Sequence, residues 1–138
     1  MDKPSCKDVF EHAWQVQEDA AQLGFDWPDV FGVLDKIEEE VGELREALQH
    51  KDTAHAQDEL GDIFLATINA ARFLSVQPAT VLSNATQRFE SRFDYVKARV
   101  EAGEKDWKDY SLDELEAVWQ AGKKVLEKKG EKRVDTGA

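Results

Sequence analysis

The sequence predicts an all-α fold, an antiparallel bundle of about four core helices with a further C-terminal helix. Three observations lead there. The three prolines, at positions 4, 28 and 78, lie outside the strongly periodic segments, as helix breakers should. Apolar residues recur at spacings of three and four through most of the 138 residues, and no alternating run of β-branched and polar residues is long enough to suggest a sheet. The connections between periodic segments are short, which favours antiparallel neighbours.

The first helix is expected over residues 4–23, where Phe10, Ala13, Trp14, Val16, Gln17 and Ala20 mix apolar and polar faces at helical spacing. LGFDWPDVFG, residues 23–32, is the connection. Its Phe25 and Trp27 either tuck under the loop as a small core or leave Trp27 as the wall of a pocket. The second helix starts between Asp29 and Val33 and ends near Gln49. Ile37, Val41, Leu44 and Leu48 form its apolar stripe, Glu39, Glu43 and Glu46 lie nearly opposite, and Glu40 sits near the stripe's edge. Gly42 costs about 1 kcal/mol relative to alanine but leaves room for a neighbouring element.

The third helix is expected over residues 54–74, with Thr53 as its cap. Leu60, Ile63, Phe64, Leu65, Ile68 and Phe73 make it apolar on most sides, which predicts a central position. Glu59 and Asp62 are i and i+3, so their carboxylates project toward a shared region. Asn69 lies about 20° from Asp62 in projection, facing the same cleft. Pro78 opens the fourth helix, whose stripe is Leu82, Ala85, Phe89, Phe93, Val96 and Val100, with Arg88 and Arg92 on one flank. SLDE at 111–114 is a capping box for a fifth helix carrying Leu115, Val118, Trp119, Gly122, Val125 and Leu126. From Lys128 the chain is charged and contains glycine, so an ordered domain over residues 1–127 and a frayed tail over 128–138 are expected. The broad apolar faces predict self-association.

Composition narrows the function. A chain of this length makes one domain with a core of its own. The single cysteine, Cys6, allows neither a disulfide within the chain nor a cysteine-based zinc site. The opening MDKPSCKDVFEHAW has no signal-peptide core, no apolar stretch approaches membrane-spanning length, and the cytoplasm is the expected location. Acids number 29 against 18 basic residues, a net charge of −11. That argues against nucleic acid or an anionic membrane surface as partner. A phosphorylated substrate stays compatible, because divalent cations held by carboxylates invert the local field.

Glu38, Glu39 and Glu46, taken singly, read as a solvated helix face, and Lys36 can pair with Glu40. Glu59 does not fit that reading, because it lies in the sector of Ile63, Ala66 and Ala70, and an unpaired carboxylate is costly to bury. Arg72, Arg88, Arg92 or a metal must neutralise it. Two facing antiparallel helices would bring Glu40 and Glu43 to Glu59 and Asp62, and four carboxylates would hold one or two ions. Oxygen-only ligands select a hard cation, Mg²⁺ first and Mn²⁺ second. Zinc is disfavoured, because His12, His50 and His55 do not fall at ligand spacing with the acids. A di-iron bundle would need E-x-x-H on two helices, which the chain lacks. Hydrated Mg²⁺ among acids suits phosphate chemistry, with a spare glutamate to take a proton and Arg88 and Arg92 to neutralise outer phosphates. Paired with Glu90 or Asp94, those arginines would instead be a plain surface patch.

Glu39, Glu40 and Glu43 as EE-x-x-E, followed by Glu59 and Asp62 as E-x-x-D, resemble the signature of the MazG nucleoside triphosphate pyrophosphohydrolases, of the all-α NTP pyrophosphatase group. GFDWPD at 24–29, ELGDIFLATINAARFL at 59–74, RFESRFDYV at 88–96 and LDELEAVWQ at 112–120 extend the likeness to that family's carboxy-terminal catalytic domain. The resemblance implies Mg²⁺-dependent hydrolysis of nucleoside triphosphates, ordinary or non-standard and including deoxynucleotides, to monophosphate and pyrophosphate. It implies Glu40, Glu43, Glu59 and Asp62 as metal ligands, with Glu39 assisting a second ion or orienting and deprotonating the attacking water. It implies substrate contacts near Trp27 and Asn69 and at Arg88 and Arg92, in a bundle that pairs as a close homodimer or builds a higher oligomer. The fourth helix reads ATQRF where the family commonly has A-N-x-K-F, and SRF where R-R-F is usual, so Thr86, Arg88 and Ser91 depart from the pattern. A relative of narrower choice, acting on dUTP, dCTP or phosphoribosyl-ATP, is the alternative enzyme. A non-catalytic helical oligomerisation or regulatory module is the alternative without chemistry.

Overall fold

The computed structural model describes residues 6–136. Five α-helices and one 3₁₀ turn follow in order: α1 (Cys6–Gln22), α2 (Val30–Gln49), α3 (Thr53–Phe73), α4 (Pro78–Ala102), the turn Trp107–Asp109, and α5 (Leu112–Thr136). The all-α expectation holds among these residues. A start of α1 at Pro4 lies outside the described residues. The backbone of α5 is helical to Thr136, past Lys128, where the composition leads to an expectation of fraying.

The helix starts follow local chemistry. Asp29 caps α2, its Oδ1 accepting from the Phe31 amide at 2.9 Å and the Gly32 amide at 3.4 Å. The cap of α3 is Asp52 rather than Thr53: Asp52 Oδ1 accepts from the His55 amide at 3.1 Å, and Thr53 is already helical. A carboxylate one residue earlier both accepts that bond and complements the positive end of the helix dipole. The capping box before α5 closes reciprocally, with the Glu114 amide donating to Ser111 Oγ and the Ser111 amide to Glu114 Oε1, both at 3.1 Å. Lys105, whose Nζ is 2.8 Å from Glu114, is the main cause holding the Glu114 carboxyl down at about 2, followed by Ser111.

Packing divides the chain into two compact units, Met1–Leu82 and Ser83–Ala138. In the first, α2 lies along α3, and α1 packs on α3. The α2–α3 connection is tight: Lys51 takes a left-handed φ of 57°, and the Asp52 amide donates to Ala47 O at 2.9 Å. So short a link makes the two helices antiparallel. The buried residues of α2 are Val33, Glu40 and Ala47, seven apart, and those of α3 are Ala56, Glu59, Ile68, Asn69 and Ala71. The packed seam therefore has a carboxylate on each helix.

That seam is rotated from the expected stripe. Ile37 and Leu44 are half-buried, but Val41 is exposed and Leu48 is 60% exposed. With Leu34 they form a second, outward row at the same seven-residue spacing. On α3, Leu60, Leu65 and Phe64 (56%) are likewise exposed. Periodicity finds apolar faces, but where a helix has two, the averaged stripe falls between them.

The second unit is held by aromatics. Phe89 meets Trp119 at 5.3 Å between ring centroids, and Phe93 meets Trp107 at 5.9 Å. Gly122 accommodates the Tyr95 ring, since a Cβ there would stand 2.6 Å from Tyr95 Cδ1. Val96 and Val100 are buried beneath. No helix among the described residues is long and apolar enough to cross a membrane.

Candidate functional site

The α2–α3 seam brings three of the expected ligands together. Glu40, Glu43 and Glu59 each offer a carboxylate oxygen, and these atoms lie within 4.8 Å of one another. Glu40 is 4% exposed and Glu59 6%. Glu40 Oε1 takes an ion pair from Lys36 Nζ at 3.0 Å, as expected from the i, i+4 spacing. Glu59 Oε1 faces His55 Nε2 at 3.2 Å. The second oxygens, Glu40 Oε2 and Glu59 Oε2, are buried with no hydrogen-bond donor. Asp62 is exposed and stands outside the trio, and so does Glu39, which Lys36 Nζ approaches at 3.6 Å.

Two expectations about the surroundings change. Arg72 does not neutralise Glu59, because its guanidinium is used elsewhere. Nε donates to Asn69 Oδ1 at 2.9 Å, one terminal nitrogen to Glu18 Oε2 at 3.2 Å, and the other to Asp26 Oδ1. His55 does fall at helical contact spacing with an acid, one turn before Glu59, a relation the reading of ligand spacings overlooked. The group that can hold an ion nevertheless consists of carboxylates alone.

The electrostatics follow from crowding. The Glu40 carboxylate, first, then burial and Glu43, push the Glu59 carboxyl up to about 8. The neighbouring Glu59 carboxyl, first, and then Lys36 hold Glu40 below the usual carboxylate range. Without a cation the seam thus keeps a proton on Glu59, as like charges sharing a site require. The folded chain binds this proton more tightly than the unfolded chain, whose ordinary value is 4.5. In this respect, stability of the metal-free protein is expected to be fullest below about pH 4.5 and to be lost as pH rises from there through about 8. Thermal unfolding in chelator across that range checks this, and added Mg²⁺ should flatten the slope by taking the proton's place.

The other expected substrate residues fall into two places. Trp27 and Asn69 share a cavity of about 310 Å³ with Gln17, Ala20, Phe25, Asp26 and Arg72. Trp27 is therefore a pocket wall, and it is seated on α2 by Gly32, where a Cβ would come within 2.7 Å of its Cε3. Arg88 and Arg92 belong to the second unit, where they border a hollow with Lys123 and Ser91. Arg92 also lies over the Trp119 ring at 5.9 Å. Gln17, Glu18 and Asp26 were missed by sequence reasoning. Their roles depend on contacts 46 to 54 positions away, which no local spacing reveals.

The trio fits a hard divalent cation: its donors are oxygens alone, and two buried oxygens of the seam have no hydrogen-bond donor. Residues 32–97 match the family model of the MazG nucleotide pyrophosphohydrolase domain, a span that contains every carboxylate of the site. Over that span the chain matches the MazG family. A Thermotoga maritima protein named nucleoside triphosphate pyrophosphohydrolase/pyrophosphatase MazG is 38% identical over 111 residues, covering 80% of this chain and 42% of that protein. The Escherichia coli K12 nucleoside triphosphate pyrophosphohydrolase is 35% identical over 125 residues, covering 89% of this chain and 48% of its own. The chain spans about half the length of these two curated relatives.

Proposed function

We propose that this chain is a Mg²⁺-dependent nucleoside triphosphate pyrophosphohydrolase, releasing monophosphate and pyrophosphate. The observation that carries the reading is the buried carboxylate trio with two undonated oxygens. The relatives' names supply the substrate class. Glu40, Glu43 and Glu59 hold the ion, with Asp62 joining them one turn along α3. Mg²⁺ bound there supplies charge neutralisation for the phosphate oxygens and makes water easier to deprotonate; Mn²⁺ can substitute. Glu39, exposed beside the trio, orients the attacking water and accepts its proton. Attack at the α-phosphorus forms a new P–O bond as the bond to the bridging oxygen breaks, and pyrophosphate departs with that electron pair. Arg88 and Arg92 take its charge, arginine matching phosphate oxygens two at a time. Trp27 and Asn69 contact the nucleoside.

The outward row Leu34, Val41 and Leu48, with Leu60 and Phe64, supports a homodimer, since a monomer gains nothing by leaving such a face in water. Light scattering should give the mass of two chains or a multiple of two.

Pyrophosphate release from a panel of ordinary, deoxy and modified nucleoside triphosphates, with and without Mg²⁺, tests the function. Turnover of several triphosphates that stops in chelator is the expected result. Activity confined to dUTP, dCTP or phosphoribosyl-ATP would replace the broad reading with a narrow one, and no release would leave a helical module. In ¹⁸O-water the label should enter the monophosphate; label in pyrophosphate would move the attack away from the α-phosphorus.

A further inference from the structure

The cavity between α1, the 23–29 connection and α3 shows more than a place for a base. Gln17 Nε2 donates to the Ala13 carbonyl at 3.0 Å and to the Leu65 carbonyl at 3.2 Å. Both partners are acceptors only, so the amide cannot turn over, and both of its N–H groups are spent. What Gln17 has left is an acceptor, Oε1. Asn69 is fixed in the opposite sense. Its Oδ1 accepts from Arg72 Nε at 2.9 Å, and a guanidinium only donates, so the NH₂ end remains. Asn69 is 8% exposed and lines the cavity together with Gln17.

The cavity has no spare positive charge. Arg72 is paired with both Glu18 and Asp26, so the wall has a cation matched by two carboxylates and offers nothing to a phosphate or another anion. The remaining lining is Phe25, Trp27 and Ala20, aromatic and apolar. A volume of about 310 Å³ is at the small end for ligand sites. Along α3, Leu65 and Asn69 stand about 9 and 15 Å beyond Glu59, at 1.5 Å per residue. A neutral group there, joined through a sugar to phosphates at the trio, has the order of parts of a nucleotide.

We infer that Gln17 and Asn69 read the edge of a nucleobase, Gln17 as an acceptor and Asn69 as a donor, with Arg72 a positioning residue that sets the Asn69 amide. The inference rests on the pyrophosphohydrolase reading above and adds a specificity rule to it. The favoured base presents a donor beside an acceptor, as adenine does with its 6-amino group and N1. Purine riboside keeps N1 but lacks the amino group, which leaves Gln17 Oε1 without a donor.

The test is a cycle of substrate against side chain. For the wild-type chain, kcat/KM for ATP should exceed that for purine riboside triphosphate by about 10-fold, carried by KM. In Gln17→Met, which removes the acceptor at similar size, the ratio should fall to within about 2-fold. Binding of AMP and purine riboside monophosphate, measured by calorimetry in chelator, gives the same cycle without turnover. Equal use of both triphosphates by wild type, with Mg²⁺-dependent pyrophosphate release intact, overturns the base reader and leaves the enzyme reading standing. Absence of release from either triphosphate overturns the enzyme reading. The monophosphate cycle then decides the reader alone: a ratio near 10 lost in Gln17→Met supports it, and a ratio of about one in wild type overturns it.

Discussion

Glu59→Gln is expected to lower Mg²⁺-dependent pyrophosphate release by about 10³-fold, beyond the 10–100-fold that outer-shell partners of metal ligands cost. The substitution keeps shape and hydrogen-bonding reach while removing a charge that the ion needs. Its effect on stability should have the opposite sign. In the metal-free wild type, Glu40 Oε2 and Glu59 Oε2 are buried without a donor, and a proton must be held at Glu59 to relieve them. A glutamine amide supplies a permanent N–H to the Glu40 carboxylate and cannot ionise. The variant in chelator at pH 9 should therefore unfold at a higher temperature than wild type. Its stability should also lose the decline through about pH 8 that Glu59 causes. A residue buried for packing alone would not give lost activity together with raised metal-free stability. Steady-state kinetics and calorimetric unfolding of the same two proteins check both halves.

Arg72→Met is expected to destabilise the chain by about 2–3 kcal/mol, between the small worth of exposed ion pairs and the larger loss when a buried pair is broken. The guanidinium is largely buried, while its carboxylate partners on Glu18 and Asp26 are partly exposed, so water relieves part of the penalty. Methionine fills the space of the stem and leaves three groups unmatched: two carboxylates and the Asn69 oxygen. The urea midpoint should drop without a change in m-value. The loss should be smaller when Asp26→Asn is already present, because the two share one interaction. Affinity for nucleoside monophosphate should fall as well, since Asn69 is then free to turn its amide over.

Much of this was legible before the fold was known. The helices follow from 3.6-residue periodicity and from breakers at positions 28 and 78. The acids were legible because Glu59 interrupts an apolar sector, where a carboxylate must be compensated. The turn of the seam was not, because α2 carries two apolar rows and periodicity reports their average. That is why Val41 and Leu48 were expected inside and are exposed, while Glu40, placed at the stripe's edge, lies in the seam between Val33 and Ala47. Asp62 shows the same limit. An i, i+3 relation to Glu59 shows that the two carboxylates project to one region, but the trio closes through Glu43 of the other helix. The Gln17–Leu65 and Arg72–Asp26 contacts were invisible, because they join segments far apart in sequence through side chains with no distinctive spacing. His55 stands one turn before Glu59, so helical arithmetic alone makes that pair legible.

The central claim is that Glu40, Glu43 and Glu59 hold a hard divalent cation between α2 and α3. Titration of Mn²⁺ into the nucleotide-free chain, with free Mn²⁺ read by electron paramagnetic resonance, tests it most directly. Mn²⁺ should be taken up by the wild-type chain, displaced by Mg²⁺, and taken up far more weakly by Glu43→Gln and Glu59→Gln. Equal uptake by wild type and both variants, or none by wild type, would contradict the account.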